Sequence, residues 1–170
     1  ESEPGTVSFS HALLREAVYR ELPEVRRHEL HERAADLLER SRATETGWGE
    51  IANHLLAALP RVGPERAVSG SLRAAERALR TYAFEDAVAI LEQALDAVAG
   101  ATLDPRLVCE VLLAMGEAQI RAHRDGKAAC LRAAELARQL NDSSLLARAG
   151  LALGAEIWVG QGVLVTSSSG

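Results

Sequence analysis

Apolar residues recur at helical spacing along almost the whole chain. Residues 11–22 place Leu14, Ala17, Val18 and Leu22 on one face, opposite Arg15, Glu16 and Arg20. Pro23 suits the start of a helix better than its interior. In 24–42 the stripe is Leu30, Ala34, Leu37 and Leu38 on an otherwise densely charged helix. The stretch 41–49 reads as a loop ending at Trp48, before a helix over 51–59 whose stripe is Ile51, Leu55 and Leu59, flanked by Ala52 and Leu56. Pro60, Gly63 and Pro64 then break the pattern. Two helical hairpins follow, 65–82 with 85–98 and 106–140, the second arm of the latter being 127–140. A last helix over 143–159 carries Leu146, Ala149, Leu153 and Ile157 along one face.

Parts of this pattern repeat. Leu112, Met115 and Gly116 reappear 34 residues later as Leu146, Ala149 and Gly150. Ala128, twelve residues after Gly116, supplies a small residue at the opening of the partner helix, although the large apolar position four further on is Arg132. Upstream, Ala75, Ala87, Leu91 and Ala94 keep the same offsets, 41 residues before Gly116, so that 100–105 must absorb about seven extra residues. Gly100 suits a helix end and Asp104-Pro105 a capped helix start. A period of 34 is that of the tetratricopeptide repeat, where small residues let paired helices approach closely. The expected fold is therefore all-α, a right-handed helical-hairpin solenoid with tetratricopeptide-like repeats. Residues 9–62 form an N-terminal helical unit, 64–162 the repeats, and 163–170 a flexible tail. The third repeat lacks its second helix, which should begin near residue 162, so the sequence reads as a fragment. Leu146, Leu153 and Ile157 would then be left for self-association as a homodimer.

Composition narrows the chemistry. A formal net charge of −5 argues against a nucleic-acid surface. No tract is apolar enough for a membrane span, since 151–165 contains Glu156, Gln161 and several glycines, and the expected location is cytoplasmic. Cys109 and Cys130 read as core thiols. His28 and His31 share a helix face near Glu32, but the spacing matches no zinc motif, and a wet, charged helix is the expectation. No nucleophile has a nearby base, so the chain is read as non-enzymatic, with no catalytic residue, cofactor or metal.

Three segments resemble a known family: Phe9-Ser10-His11-Ala12-Leu13-Leu14-Arg15-Glu16-Ala17-Val18-Tyr19, Arg26-Arg27-His28-Glu29-Leu30-His31, and Ile51-Ala52-Asn53-His54-Leu55. Together they look like the region following the ATPase core in large ATP-binding regulators of the LuxR type and related signal-transduction ATPases. Leu136-Ala137-Arg138-Gln139-Leu140-Asn141-Asp142 with Leu145-Leu146-Ala147-Arg148-Ala149 is similar to their tetratricopeptide portion. The resemblance implies that 9–62 includes the end of a winged-helix element and that His11 senses nucleotide in the parent protein, with Ala12 standing where related motifs often carry an acid. It further implies a non-catalytic module mediating protein–protein or intramolecular contacts in transcriptional control. The alternatives are a small-molecule effector sensor, with a pocket near Trp48, Tyr82, Phe84 or Trp158, and a structural spacer.

Overall fold

The computed structural model describes residues 12–41 and 44–162, with side chains at 16–41 and 47–154. These residues form eight helices and no strand: α1 (Ala12–Glu21), α2 (Glu24–Arg40), α3 (Thr44–Ala57), α4 (Pro64–Arg80), α5 (Phe84–Ala97), α6 (Pro105–Arg121), α7 (Lys127–Gln139) and α8 (Ser143–Gly162). From α2 onward each helix packs on its successor, and α4, α6 and α8 also pack side by side. The fold of the described residues is all-helical.

Small residues set the helix contacts. Between α4, α5 and α6 lie Val68, Ala75, Ala87, Val88, Leu91 and Val111, all essentially without solvent contact. Burying a side chain such as Leu91 contributes about 1.5–3 kcal/mol relative to exposure. A second cluster joins Ala35 of α2 to Ile51, Leu55 and Ala58 at α3 and its end, and to Ala67 of α4. The 60–64 break is thus bridged by a continuous core, with Val62 inside it. A third cluster sets Cys109 and Leu113 of α6 against Ala133 and Ala137 of α7 and Leu145 and Ala149 of α8.

Two expectations about the N-terminal part are corrected. The loop expected over 41–49 is mostly helix, because α3 begins at Thr44; Trp48 packs against the second cluster and outweighs the poor helix propensity of Gly47 and Gly49. The inner face of α2 is rotated: Ala35 is buried while Leu37 is 64% and Leu30 38% exposed. A small residue at the crossing lets Ile51 and Leu55 approach, and the face that turns inward with it carries His28, His31 and Leu38, all half-buried.

The helix ends follow local chemistry. Asp104 accepts the amides of Arg106 and Leu107 at 2.9 and 3.2 Å, and Asp142 those of Ser144 and Leu145 at 3.0 Å each. Arg106 reaches across to Asp142 at 2.7 Å, and Glu65 accepts the Asp104 amide at 3.1 Å, so the N-termini of α4, α6 and α8 are tied in a row. Helices α4, α6 and α7 close through left-handed residues, Tyr82, His123 and Asn141, with φ of 62°, 57° and 56°. In each case the following amide bonds the carbonyl five residues back, at Ala78, Gln119 and Ala137.

Candidate functional site

The repeat-packing residues divide. Ala75, Ala87, Leu91 and Ala94 are fully buried. Gly116 lies where α7 crosses α6: a β-carbon there would run into Cys130 Sγ and stand 3.1 Å from the Gly126 carbonyl. Ala128, by contrast, is exposed, and its expected place is taken by Cys130. The turn between α6 and α7 is two residues longer than that between α4 and α5, which moves the buried series on α7 from 128, 132 and 135 to Cys130, Ala134 and Ala137. That insertion explains why the charged Arg132 occupied a position expected to be apolar.

Gly150 is also corrected. It is exposed, and a β-carbon on it meets nothing within 4 Å. The capping aspartates Asp104 and Asp142 are 38 residues apart, and this step carries Val111 to the buried Ala149 and Ala114 to the buried Ala152. The 34-residue match therefore set Gly116 against a residue one helical turn too early. The face of α8 shifts with it. Leu145, Ala149 and Ala152 are buried, Leu146 and Leu153 half-buried against the neighbouring helices, and Leu151 is 76% exposed. The side chains of Ile157 and Trp158, and His11 altogether, lie outside the described residues.

The remaining candidates are scattered. Trp48 is half-buried on α3 with the Arg73 guanidinium 4.9 Å from its ring, whereas Tyr82 projects from the α4–α5 turn and meets Phe84 edge to face at 6.1 Å. Nothing brings Trp48 to Tyr82 and Phe84. His28, His31 and Glu32 do not converge either. His28 stands 3.8 Å from Glu24, and Glu32 accepts from Arg61 at 2.8 Å. His31 bonds Tyr19 Oη through Nε2 and His54 Nδ1 through Nδ1, both at 2.8 Å. Partial burial, then the neighbouring His54, His28 and Arg27, push the His31 pKa down. Among the described residues no group of three or more His, Cys, Asp or Glu could hold a metal ion. Cys109 donates to the Ala133 carbonyl at 3.3 Å, and burial raises its pKa, which disfavours the nucleophilic thiolate.

What the fold does assemble is a groove of about 410 Å³ running across α4, α6 and α8. Glu76, Leu79 and Arg80 come from α4, Glu117 and Arg121 from α6, and Arg148 from α8. Glu76-Arg80 and Glu117-Arg121 are the same acid–arginine couple at i,i+4, set 41 residues apart like Ala75 and Gly116. On α2 the couple Asp36-Arg40 stands 40 residues earlier, but there Asp36 is engaged by Arg66 of α4. Of the groove residues Arg80, Arg121 and Arg148 are exposed, while Glu76 and Glu117 are half-buried. Among the described residues none of the five takes part in an ion pair. Arg121 instead lies over the Phe84 ring, 5.7 Å from its centre. Sequence reasoning missed this site because each couple, taken singly, looks like an ordinary solvated helix face. The signal was their recurrence at the repeat step.

No family model, curated protein or solved structure matches this chain. The functional reading rests on the groove and on the chain's own residues.

Proposed function

We propose that this chain is a non-catalytic helical-repeat module of a regulatory protein, its helices stacked as a right-handed solenoid of tetratricopeptide-like hairpins. Residues 12–62 would be the first unit and 64–162 the repeats. The observation that carries the reading is the groove formed side by side by α4, α6 and α8, an open surface to which the first helices of two successive hairpins and the helix that follows them each contribute charged side chains. Stacked hairpins offer such a surface to a peptide or a neighbouring domain. The LuxR-type resemblance of 9–31 and 51–55 makes transcriptional control the setting and the other domains of a parent ATPase the nearest partners. A small-molecule sensor is the weaker alternative: the aromatic residues named for it are not brought together, and the groove has charged walls in place of an enclosed apolar pocket.

The test is selection of binders from a displayed random-peptide library, followed by hydrogen-exchange mapping. Protection confined to α4, α6 and α8 supports the reading, and a library that yields no peptide on this face overturns it. The chain is also expected to bind neither ATP nor DNA. Saturable nucleotide binding at low micromolar concentration would instead give His11 and its neighbours a direct role.

A further inference from the structure

We infer that α2 is a docking helix whose outer stripe pairs with an acidic amphipathic helix of a partner, at a surface none of whose residues lines the α4, α6 and α8 groove. The stripe is Arg26, Leu30, Arg33, Leu37 and Arg40, all exposed and set four, three, four and three residues apart. At about 100° per residue the five fall within an arc of about 80°, centred opposite the buried Ala35. The two leucines are therefore turned outward by the same rotation that brings Ala35 into the core. Helix α1 meets α2 to one side of the stripe, where Tyr19 bonds His31 and lies beneath the Arg27 guanidinium.

The acids of α2 are engaged elsewhere. Glu32 accepts from Arg61 at 2.8 Å, and Asp36 and Glu39 both accept from Arg66 in the first turn of α4. These bonds tie α2 to its neighbours and leave its outer face rich in arginine on a chain of net charge −5. Arg33, in the middle of the stripe, takes part in no ion pair among the described residues. Arg26 and Arg40 have partners only within the helix, Glu29 at 2.6 Å and the already engaged Asp36 at 3.9 Å. Such surface pairs contribute little, so a partner's carboxylate can take their place.

The spacing selects a helix as the partner. Arg26, Arg33 and Arg40 recur every seven residues, with a leucine between successive arginines. That interval is about 10.5 Å, and a straight helix drifts only about 20° per heptad, so the seam stays on one face. A second helix presents its seam positions at the same steps, so acids alternating with apolar residues meet the arginines and leucines in turn. An extended strand repeats its facing side chains about every 6.6 Å and is out of step by the second arginine. Nucleic acid and anionic membrane match the arginines alone. Phosphates leave Leu30 and Leu37 without an apolar contact, and two leucines bordered by Glu29 and Asp36 are too little to enter a bilayer.

The experiment uses the full chain and four fluorescein-labelled helical peptides, each about three heptads long. Three carry Leu at one seam position and Glu, Gln or Lys at the other; the fourth scrambles the Glu peptide so that its seam is lost. Fluorescence anisotropy is expected to show the Glu-seam peptide binding about tenfold more tightly than the rest, with affinity falling as salt is raised. Hydrogen-exchange protection should fall on α2. The triple substitution Arg26→Gln, Arg33→Gln and Arg40→Gln is expected to remove the preference. These side chains hold surface pairs at most, so the melting temperature should stay at the wild-type value. Arg26→Glu with Arg33→Glu should transfer the preference to the Lys-seam peptide, a swap that loss of structure would not produce. Leu37→Ser should weaken the Glu-seam peptide several-fold without altering the Glu-over-Gln ratio. Equal binding of the four peptides, a Glu preference surviving the triple substitution, or protection on α4, α6 and α8 in place of α2 would overturn the inference. So would sedimentation showing a dimer of this chain that the triple substitution abolishes. Duplex DNA or phosphatidylserine vesicles binding through these arginines as tightly as the Glu-seam peptide would overturn it as well. The groove reading stands or falls separately, since no substitution touches a groove residue.

Discussion

At the residue scale, two glycines that look alike in the sequence have opposite meanings. Gly116 is closed in by Cys130 and the Gly126 carbonyl, whereas Gly150 faces open space on a helix. Gly150→Ala is expected to raise stability by up to about 1 kcal/mol, the propensity difference between the two residues in a helix. Gly116→Ala should fail to gain it, and Gly116→Leu should cost about 1–3 kcal/mol through overpacking. Denaturant midpoints at constant slope would report all three; an unchanged midpoint for Gly116→Leu would remove the close-crossing account of α6 and α7. The need for a small residue at 116 was legible from the repeat, but its partner was not. The two extra residues of the α6–α7 turn displace the contact from Ala128 to Cys130, and a turn length is invisible to an alignment made at fixed offsets.

At the element scale, α2 shows how a helix can be recognised and its orientation missed. Its apolar stripe pointed to Leu30 and Leu37, yet Ala35 faces the core and carries His31 inward with it. His31 then sits in a chain from Tyr19 on α1 to His54 on α3, with its pKa lowered. A lowered folded-state value means that the unfolded chain binds the proton more readily, so this group's effect on stability is absent well above 6.5 and becomes a penalty as pH falls through 6.5 toward the lowered value. Urea midpoints should therefore decline over this window, and His31→Gln should flatten the decline. The same slope in the variant would assign it elsewhere. Asp142 acts in a separate, more acidic window. Its pKa is held below 3.8 by the Leu145 amide first, against a smaller opposing effect of desolvation, with Arg106 and the Ser144 amide adding to the lowering. Its contribution is present above 3.8 and is lost as pH falls through the lowered value. The helix ends offer another check. His123 pays for a left-handed conformation that glycine adopts freely, so His123→Gly is expected to add about 1 kcal/mol to stability, read from the midpoint of chemical unfolding.

At the scale of the whole molecule, α4 belongs to two cores at once. Its Ala67 lies in the cluster with Ile51 and Leu55, and its Val68 and Ala75 in the cluster with Leu91 and Val111. Leu91→Ala is expected to cost about 2–5 kcal/mol. Because α4 transmits the loss, the transition seen by Trp48 fluorescence in a Trp158→Phe background should move together with that of far-ultraviolet circular dichroism. A fluorescence transition left in place would mean that the N-terminal helices unfold independently of α5 and α6.

The sequence by itself determined the helices and most of their ends, since a 3.6-residue apolar period, aspartate caps and proline at the first turn act within a few residues of where they stand. It also marked Ala75, Ala87, Ala94 and Gly116 as close-packed and Leu91 as the large residue between them, because small residues at fixed offsets have few other uses in paired helices. Tertiary structure alone decided which face of α2 and α8 turns inward, where α7 meets α6, and that Arg80, Arg121 and Arg148 share one groove. Those outcomes depend on turn lengths and on which neighbour can approach most closely. Side chains tens of residues apart become adjacent only once the helices between them have packed.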